Sequence, residues 1–461
     1  MSSMPTVEQN TRPAKRVRTR PKEAPGYEAA LARKIKSHQA RVAIVGQGYV
    51  GLPLATEFAG LGFTVAGLDR DPNRVEKLNA ASSCTPDVSD LRLAALLESK
   101  RYEATADPDV LALADVVIIC VPTPLRKSKE PDISYVVDAA HAVAARFRKG
   151  QLIVLESTTY PGTTQEIVLS LLEERGAKVG VDLFLAFSPE RIDPGNRQFK
   201  VTDIPKVVGG VTPQCTKMAA LMYEQLGVPV MRVSNPTVAE LAKLYENVFR
   251  NVNIALANEM AIICQHLGVS SREVINAAAT KPFGFMPFYP GPGVGGHCIG
   301  VDPSYLTWKM RLNGYETQFS HFADEINRSM PAYVVDMVAH ALNQRRRSVN
   351  GASILVLGVA YKRGVGDTRE SPALEIIERL QGRGAQVSYA DPYVPHVSCD
   401  GKQLEAVAAT DDAIAAADCV LIVTDHPEFD YQKVLETSKL VVDTRGATWP
   451  IARTRDNLVT L

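Results

Sequence analysis

The chain has 461 residues, more than one ordinary domain holds, so its length predicts several domains with separate buried cores. Lysine and arginine number 51, and aspartate and glutamate also number 51. This balance gives no global case for nucleic acid or an anionic membrane surface as a partner. No uninterrupted apolar run reaches about 18 residues, so we expect no transmembrane helix.

Residues 1–40 start with a polar, basic segment that lacks the apolar core of a secretory signal. Its basic cluster is compatible with an anionic-partner patch or with a disordered tail, and we interpret residues 1–40 as a flexible basic tail. The cluster comprises Lys15, Arg16, Arg18, Arg20 and Lys22.

Seven cysteines are scattered along the chain and form no CxxC pair. This pattern predicts neither a disulfide framework nor a metal site, and it is typical of a reducing cytoplasm.

Short apolar runs alternate with helical patterns from Arg41 onward. VAIVG, FTVAGLD, VVIICVP (116–122) and LIVLES (152–157) read as buried strands. Strands that alternate with helices predict a parallel, doubly wound sheet, which we assign to residues 41–235.

The middle of the chain has a different pattern. Residues 237–267 contain no glycine or proline, and their apolar residues recur three or four apart, which predicts one helix of about 30 residues. The glycine- and proline-rich segment 282–303 predicts a shaped loop. We assign residues 236–348 to a helical connector.

A second alternation of strands and helices follows in residues 349–461. Its expected strands are 353–361, 385–391, 419–425 and 439–445. The predicted fold class is therefore α/β, with two Rossmann-like doubly wound domains joined by a long central helix and helical connector.

The first strand is followed by a GxGxxG turn that opens a helix. This context, with Asp69 ending the next strand, predicts a dinucleotide site in which the pyrophosphate lies at the helix N-terminus. Asp69 favours NAD over NADP because it repels a 2′-phosphate, although Arg74 lies nearby; a plain turn or helix cap is the alternative for Asp69. The turn comprises Gly46, Gln47, Gly48, Tyr49, Val50 and Gly51.

Cys298 lies in the loop sequence GGHCIGVDP, where small neighbours leave room for a substrate. A cysteine there is a candidate nucleophile, whereas the other cysteines read as small buried hydrophobic residues. Lys243 and Asn247 are four apart on the long helix and share a face. They can stabilise one oxyanion, or lie on a solvated face.

These residues carry a resemblance to a known family. VAIVGQGYVGLPLA, ESTTYPGTT, SPERIDPGN, ELAKLYENVFRNVNIALANE, GPGVGGHCIGVDP and GVAYKRGVGDTRESPALE occur in order and together resemble the UDP-glucose/GDP-mannose dehydrogenase family over residues 41–450. The resemblance implies an N-terminal NAD-binding domain, a helical dimerisation connector and a C-terminal UDP-binding domain. It also implies a homodimer or larger homo-oligomer acting in polysaccharide biosynthesis.

The resemblance further implies a four-electron oxidation of the C6 alcohol of a UDP-sugar to a uronic acid, through a thiohemiacetal and a thioester on Cys298. Within the family, SPERIDPGN and KPFGFMPFYPGPGVGGHC most resemble the branch that oxidises UDP-N-acetylglucosamine, so the resemblance implies this substrate. The implied catalytic residues are Cys298, Lys243, Asn247, Asp302, Thr158 and Glu190.

Further roles follow from the same resemblance. Implied cofactor contacts beyond the glycine turn are Asp69, Arg74, Pro122, Thr123 and Arg369. Implied substrate contacts are Arg191, Lys243, Asn247, Tyr289, Gly291, Gly293, Gly295, Lys362 and Arg445.

The residues leave three alternatives open. The first is a different substrate, namely UDP-glucose, UDP-N-acetylgalactosamine or UDP-N-acetylmannosamine. The second is a one-step β-hydroxyacid-type dehydrogenase, which the GGHC segment and the second α/β domain disfavour. The third is a non-catalytic NAD-sensing scaffold, which the intact set of catalytic residues disfavours.

Overall fold

The computed structural model describes residues 26–85, 87–126, 130–191, 203–296 and 299–461. Two sheets form its framework, with long helices between them in the chain. Within the described ranges no helix is both long and apolar enough to span a membrane.

The first sheet has eight strands in the spatial order β3-β2-β1-β4-β5-β6-β7-β8. The crossover from β2 and β3 on one side of β1 to β4 on the other places a switch point at the carboxyl ends of β1 and β4, where α/β folds bind ligands. The strands are β1 Arg41–Val45, β2 Thr64–Leu68, β3 Tyr102–Thr105, β4 Val116–Ile119, β5 Leu152–Leu155, β6 Phe184–Phe187, β7 Lys206–Gly210 and β8 Val230–Val233.

Helices cover both faces of this sheet, and fully buried aliphatic residues of β1, β4 and β5 form its core. The helices are α1 Tyr27–Lys36, α2 Gly51–Gly60, α3 Pro72–Asn79, α4 Asp90–Glu98, α5 Val110–Leu113, α6 Ser134–Arg146, α7 Ser170–Glu174, which continues a π-helical segment Thr164–Leu169, and α8 Pro213–Glu224.

Strand β7 departs from the predicted parallel arrangement. It runs antiparallel to β6, with Phe187 opposite Gly209, while the other neighbouring strands of this sheet are parallel. An antiparallel neighbour needs no crossover helix, so the chain returns at the same edge of the sheet.

The central helices begin with α9 Pro236–Leu267, which has 32 residues. The side chain of Asn235 caps its start by accepting from the amide of Val238, and Gly268, at φ 68°, ends it in the left-handed conformation. Ala261 of α9 is buried against α12. The remaining helices are α10 Ser271–Ala279, α11 Asp302–Leu312 and α12 Gln318–Gln344.

The second sheet has five parallel strands in the order β10-β9-β13-β14-β15, and a short antiparallel hairpin lies beside it. It repeats the architecture of the first sheet, as expected from the sequence. Its elements are β9 Ser353–Leu357, α13 Pro372–Gly382, β10 Gln386–Ala390, β11 His396–Cys399, β12 Lys402–Glu405, α14 Asp411–Ala416, β13 Cys419–Ile422, α15 Tyr431–Thr437, β14 Val441–Asp443 and β15 Leu458–Thr460.

The interpretation of residues 1–40 as a flexible tail is wrong for residues 27–36, which form α1. Leu31 and Ile35 of α1 are buried, and Glu28 pairs with Lys217 of α8 at 2.6 Å. Burial of two aliphatic side chains four residues apart holds this helix on the domain. Residues 1–25, with the basic cluster, lie outside the described residues.

Candidate active site

The GxGxxG turn leaves β1 at the switch point and has the shape that a dinucleotide needs. Gly46 has φ 93°, and a Cβ there would lie 2.5 Å from the carbonyl oxygen of Cys120. At Gly51, where α2 begins, a Cβ would lie 1.8 Å from the Gly46 oxygen, whereas a Cβ at Gly48 would meet nothing within 4 Å. Two glycines are therefore required by the turn itself, and Gly48 leaves open space beside the helix N-terminus for a pyrophosphate.

Asp69 follows β2 and is buried next to this turn. Its Oδ2 accepts from the Gln47 amide at 2.8 Å and from Arg74 Nη1 at 3.0 Å, and its Oδ1 accepts from the Asp71 amide. Oδ1 retains a lone pair for a ribose hydroxyl. Arg74 is paired with the carboxylate, so both residues fit NAD with its unphosphorylated ribose.

Arg369 reaches from the second α/β unit to the glycine turn. Its guanidinium lies 5.0 Å from the ring centroid of Tyr49, and Asp367 holds it through two nitrogens. Its backbone oxygen accepts from the amide of Gly296 at 3.0 Å. One residue thus joins the cofactor turn to the loop that leads to Cys298.

A buried polar cluster forms where α9 and α11 meet. Lys243, Asn247 and Asp302 are each less than a tenth exposed. Asn247 Nδ2 donates to Asp302 Oδ2 at 2.5 Å. Burial raises the pKa of Asp302 to about 6, although the charge of Lys243 and the hydrogen bond from Asn247 oppose the rise. A carboxyl group with this pKa can exchange a proton near neutral pH.

Apolar packing fixes α11 against the loops that follow β4 and β5. Tyr305, three residues after Asp302, is buried with Tyr160, Leu244 and Val301. Its hydroxyl donates to the Pro124 oxygen at 3.3 Å. Of the predicted residues in these loops, Thr158 is half-buried, Thr123 buried and Pro122 exposed. Polar cluster and loops therefore share the carboxyl edge of the first sheet.

Glu190 and Arg191 follow β6 at the same edge. Arg191 forms an ion pair at 2.6 Å with Glu246 of α9, the residue that precedes Asn247 in the sequence. Glu190 accepts from Lys206 at 2.8 Å and from the Arg191 amide at 2.7 Å. Glu190 and Arg191 are thereby attached to α9, the helix that carries Lys243 and Asn247.

The predicted substrate loop packs against the second unit. A Cβ on Gly291 would lie 2.7 Å from Arg445 Nη1, and one on Gly293 would lie 3.1 Å from Pro372. A Cβ on Gly295 would lie 2.8 Å from the Cβ of Tyr361. Gly295 needs to lack a side chain because its Cβ would also lie 2.8 Å from the Glu370 backbone oxygen, whereas at Gly291 the neighbouring atom is the flexible end of Arg445.

Tyr289 belongs to this loop, and Lys362 belongs to the second α/β unit. The Tyr289 hydroxyl donates to Asn276 Oδ1 at 2.7 Å, and Arg272 lies 4.6 Å from its ring centroid. Arg272 also donates to the Arg445 backbone oxygen at 2.5 Å. Lys362 is half-buried in the turn after β9.

The candidate nucleophile Cys298 lies outside the described residues, as does His297. Asp302 and Gly296 bracket it in the sequence.

Other residues of the site escaped the sequence analysis. Asn258 accepts from the Gly291 amide at 2.9 Å and donates to Asn327, which donates to Asn251 at 2.8 Å. The sequence signal for Asn258 was a row of polar residues spaced four apart on α9, namely Lys243, Asn247 and Asn251. Arg272, Lys206 and Glu156 gave no signal in the sequence, because their partners are distant in the chain.

The geometry defines a class of protein. The GxGxxG turn and the helices that carry the buried Lys-Asn-Asp cluster both lie at the carboxyl edge of the first sheet, and the loop residues 291–295 pack against the second α/β unit. This is the arrangement of a NAD-dependent oxidoreductase with a second nucleotide site.

Comparison with known families identifies the particular group. Residues 40–227, 237–329 and 355–450 match the NAD binding, central and UDP binding domains of the UDP-glucose/GDP-mannose dehydrogenase family. The chain belongs to this family. Its cofactor is NAD, and it is a UDP-sugar dehydrogenase.

Relatives support the same assignment. The UDP-N-acetyl-D-glucosamine 6-dehydrogenase of Pseudomonas aeruginosa is 39% identical over 77% of this chain and 83% of its own length. The NDP-N-acetyl-D-galactosaminuronic acid dehydrogenase of Ralstonia solanacearum is 34% identical over 88% and 95%. The structure of the UDP-D-ManNAc dehydrogenase of Pyrococcus horikoshii, 33% identical, superposes with a TM-score of 0.81 over 91% of this chain and 98% of that one.

Proposed function

We propose that this protein oxidises the C6 primary alcohol of UDP-N-acetylglucosamine to the uronic acid in two NAD-dependent steps. The observation that carries the proposal is the buried cluster of Lys243, Asn247 and Asp302, whose helices pack on the loops at the carboxyl edge of the first sheet. The similarity to the Pseudomonas aeruginosa UDP-N-acetyl-D-glucosamine 6-dehydrogenase supports this sugar.

We assign cofactor binding to the glycine turn and Asp69, with Pro122, Thr123 and Arg369 as further contacts. Bound NAD supplies the hydride acceptor. Gly48 leaves the turn open, and Tyr49 with Arg369 forms a stacked pair at its rim. The pair fixes the second unit against the cofactor side of the site.

The nucleotide sugar is assigned to the surface that the loop residues 289–295 form with Lys362 and Arg445 of the second α/β unit. Lys362 and Arg445 supply positive charge for a diphosphate. Arg191 and the loop residues Tyr289, Gly291, Gly293 and Gly295 complete the substrate contacts.

The proposed nucleophile is the thiolate of Cys298. The first oxidation gives an aldehyde, whose carbon cannot donate a hydride to NAD until it becomes tetrahedral. Addition of the thiolate converts the aldehyde into a tetrahedral thiohemiacetal. Lys243 and Asn247 stabilise the oxyanion, since both already lie together on α9. Oxidation of the thiohemiacetal gives a thioester.

Water then hydrolyses the thioester and restores the thiolate. Glu190 activates this water, Thr158 holds it, and Asp302 exchanges the proton. The pKa of Asp302 near 6 suits this task because the group gains and loses a proton close to neutral pH.

We also propose that two copies pair through α9. Several large apolar side chains on this helix are exposed, as on many surfaces that self-associate. They include Val238, Leu241, Tyr245, Phe249, Leu256, Ile263 and Leu267.

The test of substrate and nucleophile is a panel of UDP-sugars with product analysis by mass spectrometry. UDP-N-acetylglucosamine should give the uronic acid with the largest kcat/KM, ahead of the N-acetylgalactosamine, N-acetylmannosamine and glucose forms. Preference for another sugar would overturn the substrate assignment.

Cys298→Ser should lose net acid formation by on the order of 10³-fold or more while still binding NAD. Cys399→Ser, in strand β11 of the second unit, is the matched control and should keep activity. Full turnover by Cys298→Ser would overturn the covalent mechanism.

A further inference from the structure

A buried lysine joins two carboxylates behind the proposed active site. The side chain of Lys206 is 5% exposed, and its Nζ lies 2.8 Å from Glu190 Oε2 and 3.2 Å from Glu156 Oε1. Glu156 is fully buried, whereas Glu190 is 12% exposed. The lysine therefore connects an interior carboxylate to one at the edge of the site.

The antiparallel step in the first sheet creates this contact. Phe187 of β6 lies opposite Gly209 of β7, so the register continues to Glu190 opposite Lys206. A parallel β7 would begin at the other end of the sheet. The reversal places the start of β7 at the carboxyl edge, beside the residues that follow β5 and β6.

Glu156 contacts two further side chains besides Lys206. The Tyr223 hydroxyl of α8 donates to its Oε1 at 2.5 Å, and the Cys120 thiol lies 3.8 Å from its Oε2. Tyr223 also places its ring 5.2 Å from Lys206 Nζ. Burial alone lowers the pKa of Lys206, but the carboxylates of Glu156 and Glu190 raise it above its ordinary value. The lysine thus stays an ammonium.

Glu190 is held at both oxygens. Oε2 faces the ammonium, and Oε1 accepts from the Arg191 amide at 2.7 Å. The Arg191 side chain is attached in turn to Glu246 of α9. A carboxylate with two donors keeps a fixed orientation.

We propose that Lys206, anchored by Glu156, is a positioning residue for Glu190 and sets the rate of thioester hydrolysis. The inference rests on the proposed function, which assigns water activation to Glu190. A buried ion pair can also serve structure alone, so the test must separate hydrolysis from folding and from the oxidative steps.

The key variant is Lys206→Met with Glu156→Gln. The single change Lys206→Met leaves a buried carboxylate without its cation, whereas the double change removes both charges and protects folding. After mixing with NAD and UDP-N-acetylglucosamine, the double variant should release two NADH per active site rapidly. Its steady-state kcat should then fall on the order of 100-fold.

Three further readouts identify the role of Lys206. The acyl-enzyme should accumulate and be visible by intact-protein mass. The value of kcat/KM and the dissociation constant of NAD should change less than about threefold, so that KM falls together with kcat, which separates slowed hydrolysis from weakened binding. Lys206→Arg keeps the charge and should recover part of the hydrolysis rate.

Adding Glu190→Gln tests whether Lys206 acts through that residue. The triple variant should be no slower than Glu190→Gln alone, because groups that act as a unit are not additive. Lys34→Met is the matched control: its ammonium lies 2.8 Å from Asp115 at the opposite end of the sheet, and its kcat should stay unchanged.

The outcomes separate the two proposals. No NADH from the wild-type protein with any UDP-sugar would overturn the proposed function and this inference with it. Wild-type activity with an unchanged hydrolysis rate in the double variant would overturn only the role of Lys206. Equal slowing of oxidation and hydrolysis, or additive losses in the triple variant, would also overturn it.

Discussion

Asn247 and Asp302 belong to different helices, and a 2.5 Å hydrogen bond joins their side chains inside the protein. The bond fixes a carboxyl group whose pKa burial raises to about 6. Stability and the proposed chemistry therefore depend on the same group.

The free energy of unfolding should reflect this raised pKa of Asp302. An aspartate has a pKa of about 3.9 when unfolded, so between pH ~4 and ~6 the folded state binds more protons and stability falls as pH rises. The full cost is about 3 kcal/mol above pH ~7, from roughly two pKa units. Asp302→Asn removes it and should stabilise the protein more at pH 8 than at pH 4.5, although activity is lost.

Urea denaturation at the two pH values measures this effect. Asp138→Asn, at an exposed position of α6, is the control and should show no such difference. An equal effect of Asp302→Asn at both pH values would contradict the assigned pKa.

Asn258 should control binding of the nucleotide sugar. Asn258→Ala removes the partner of the Gly291 amide and of Asn327 Oδ1, at about 1–3 kcal/mol for each unsatisfied group, so the glycine loop loses this attachment to α9; Asn327 still donates to Asn251. We expect KM to rise about tenfold with a smaller change in kcat. Asn253→Ala, at a half-buried asparagine whose amide donates to the Phe249 oxygen of the same helix, should change neither KM nor kcat in steady-state kinetics.

Arg369 should contribute to NAD affinity through its contact with Tyr49. Loss of a cation–π contact in Arg369→Ala should weaken NAD binding by about 3- to 30-fold in calorimetry. UDP binding should change far less. Arg379→Ala, which removes only an exposed pair with Glu375, provides the comparison, and equal losses in both variants would refute a specific contact.

The exposed apolar face of α9 should support self-association. Tyr245 is 68% and Phe249 42% exposed, so replacing both with glutamate places two charges in the proposed interface. Sedimentation velocity should show a dimer for the wild type and a monomer for the double variant. Leu91→Glu, at an exposed position of α4, should leave the dimer intact; a monomeric wild type would end the proposal.

The sequence predicted the features that depend on local pattern. The glycine turn, the carboxylate after β2 and the long helix follow from short-range periodicity and turn chemistry, and the second sheet repeats the same alternation. The α/β fold with two Rossmann-like units and the NAD cofactor are confirmed. The spacing of four residues predicts that Lys243 and Asn247 share one face of α9.

The sequence could not predict features set by tertiary contact. The antiparallel β7 has no local signature, since Lys206 meets Glu190 only through the register of the sheet. Asn258 belongs to the polar row of α9, but its role depends on Gly291, 33 residues away. Helix α1 is stabilised by packing on α8, and its short, charged sequence resembles a tail.

The proposed four-electron oxidation is tested most directly by measuring the number of NADH formed per UDP-N-acetylglucosamine consumed. Two NADH and one uronic acid should form per sugar, without free aldehyde. One NADH per sugar, with a carbonyl product, would contradict it and indicate a one-step alcohol dehydrogenase.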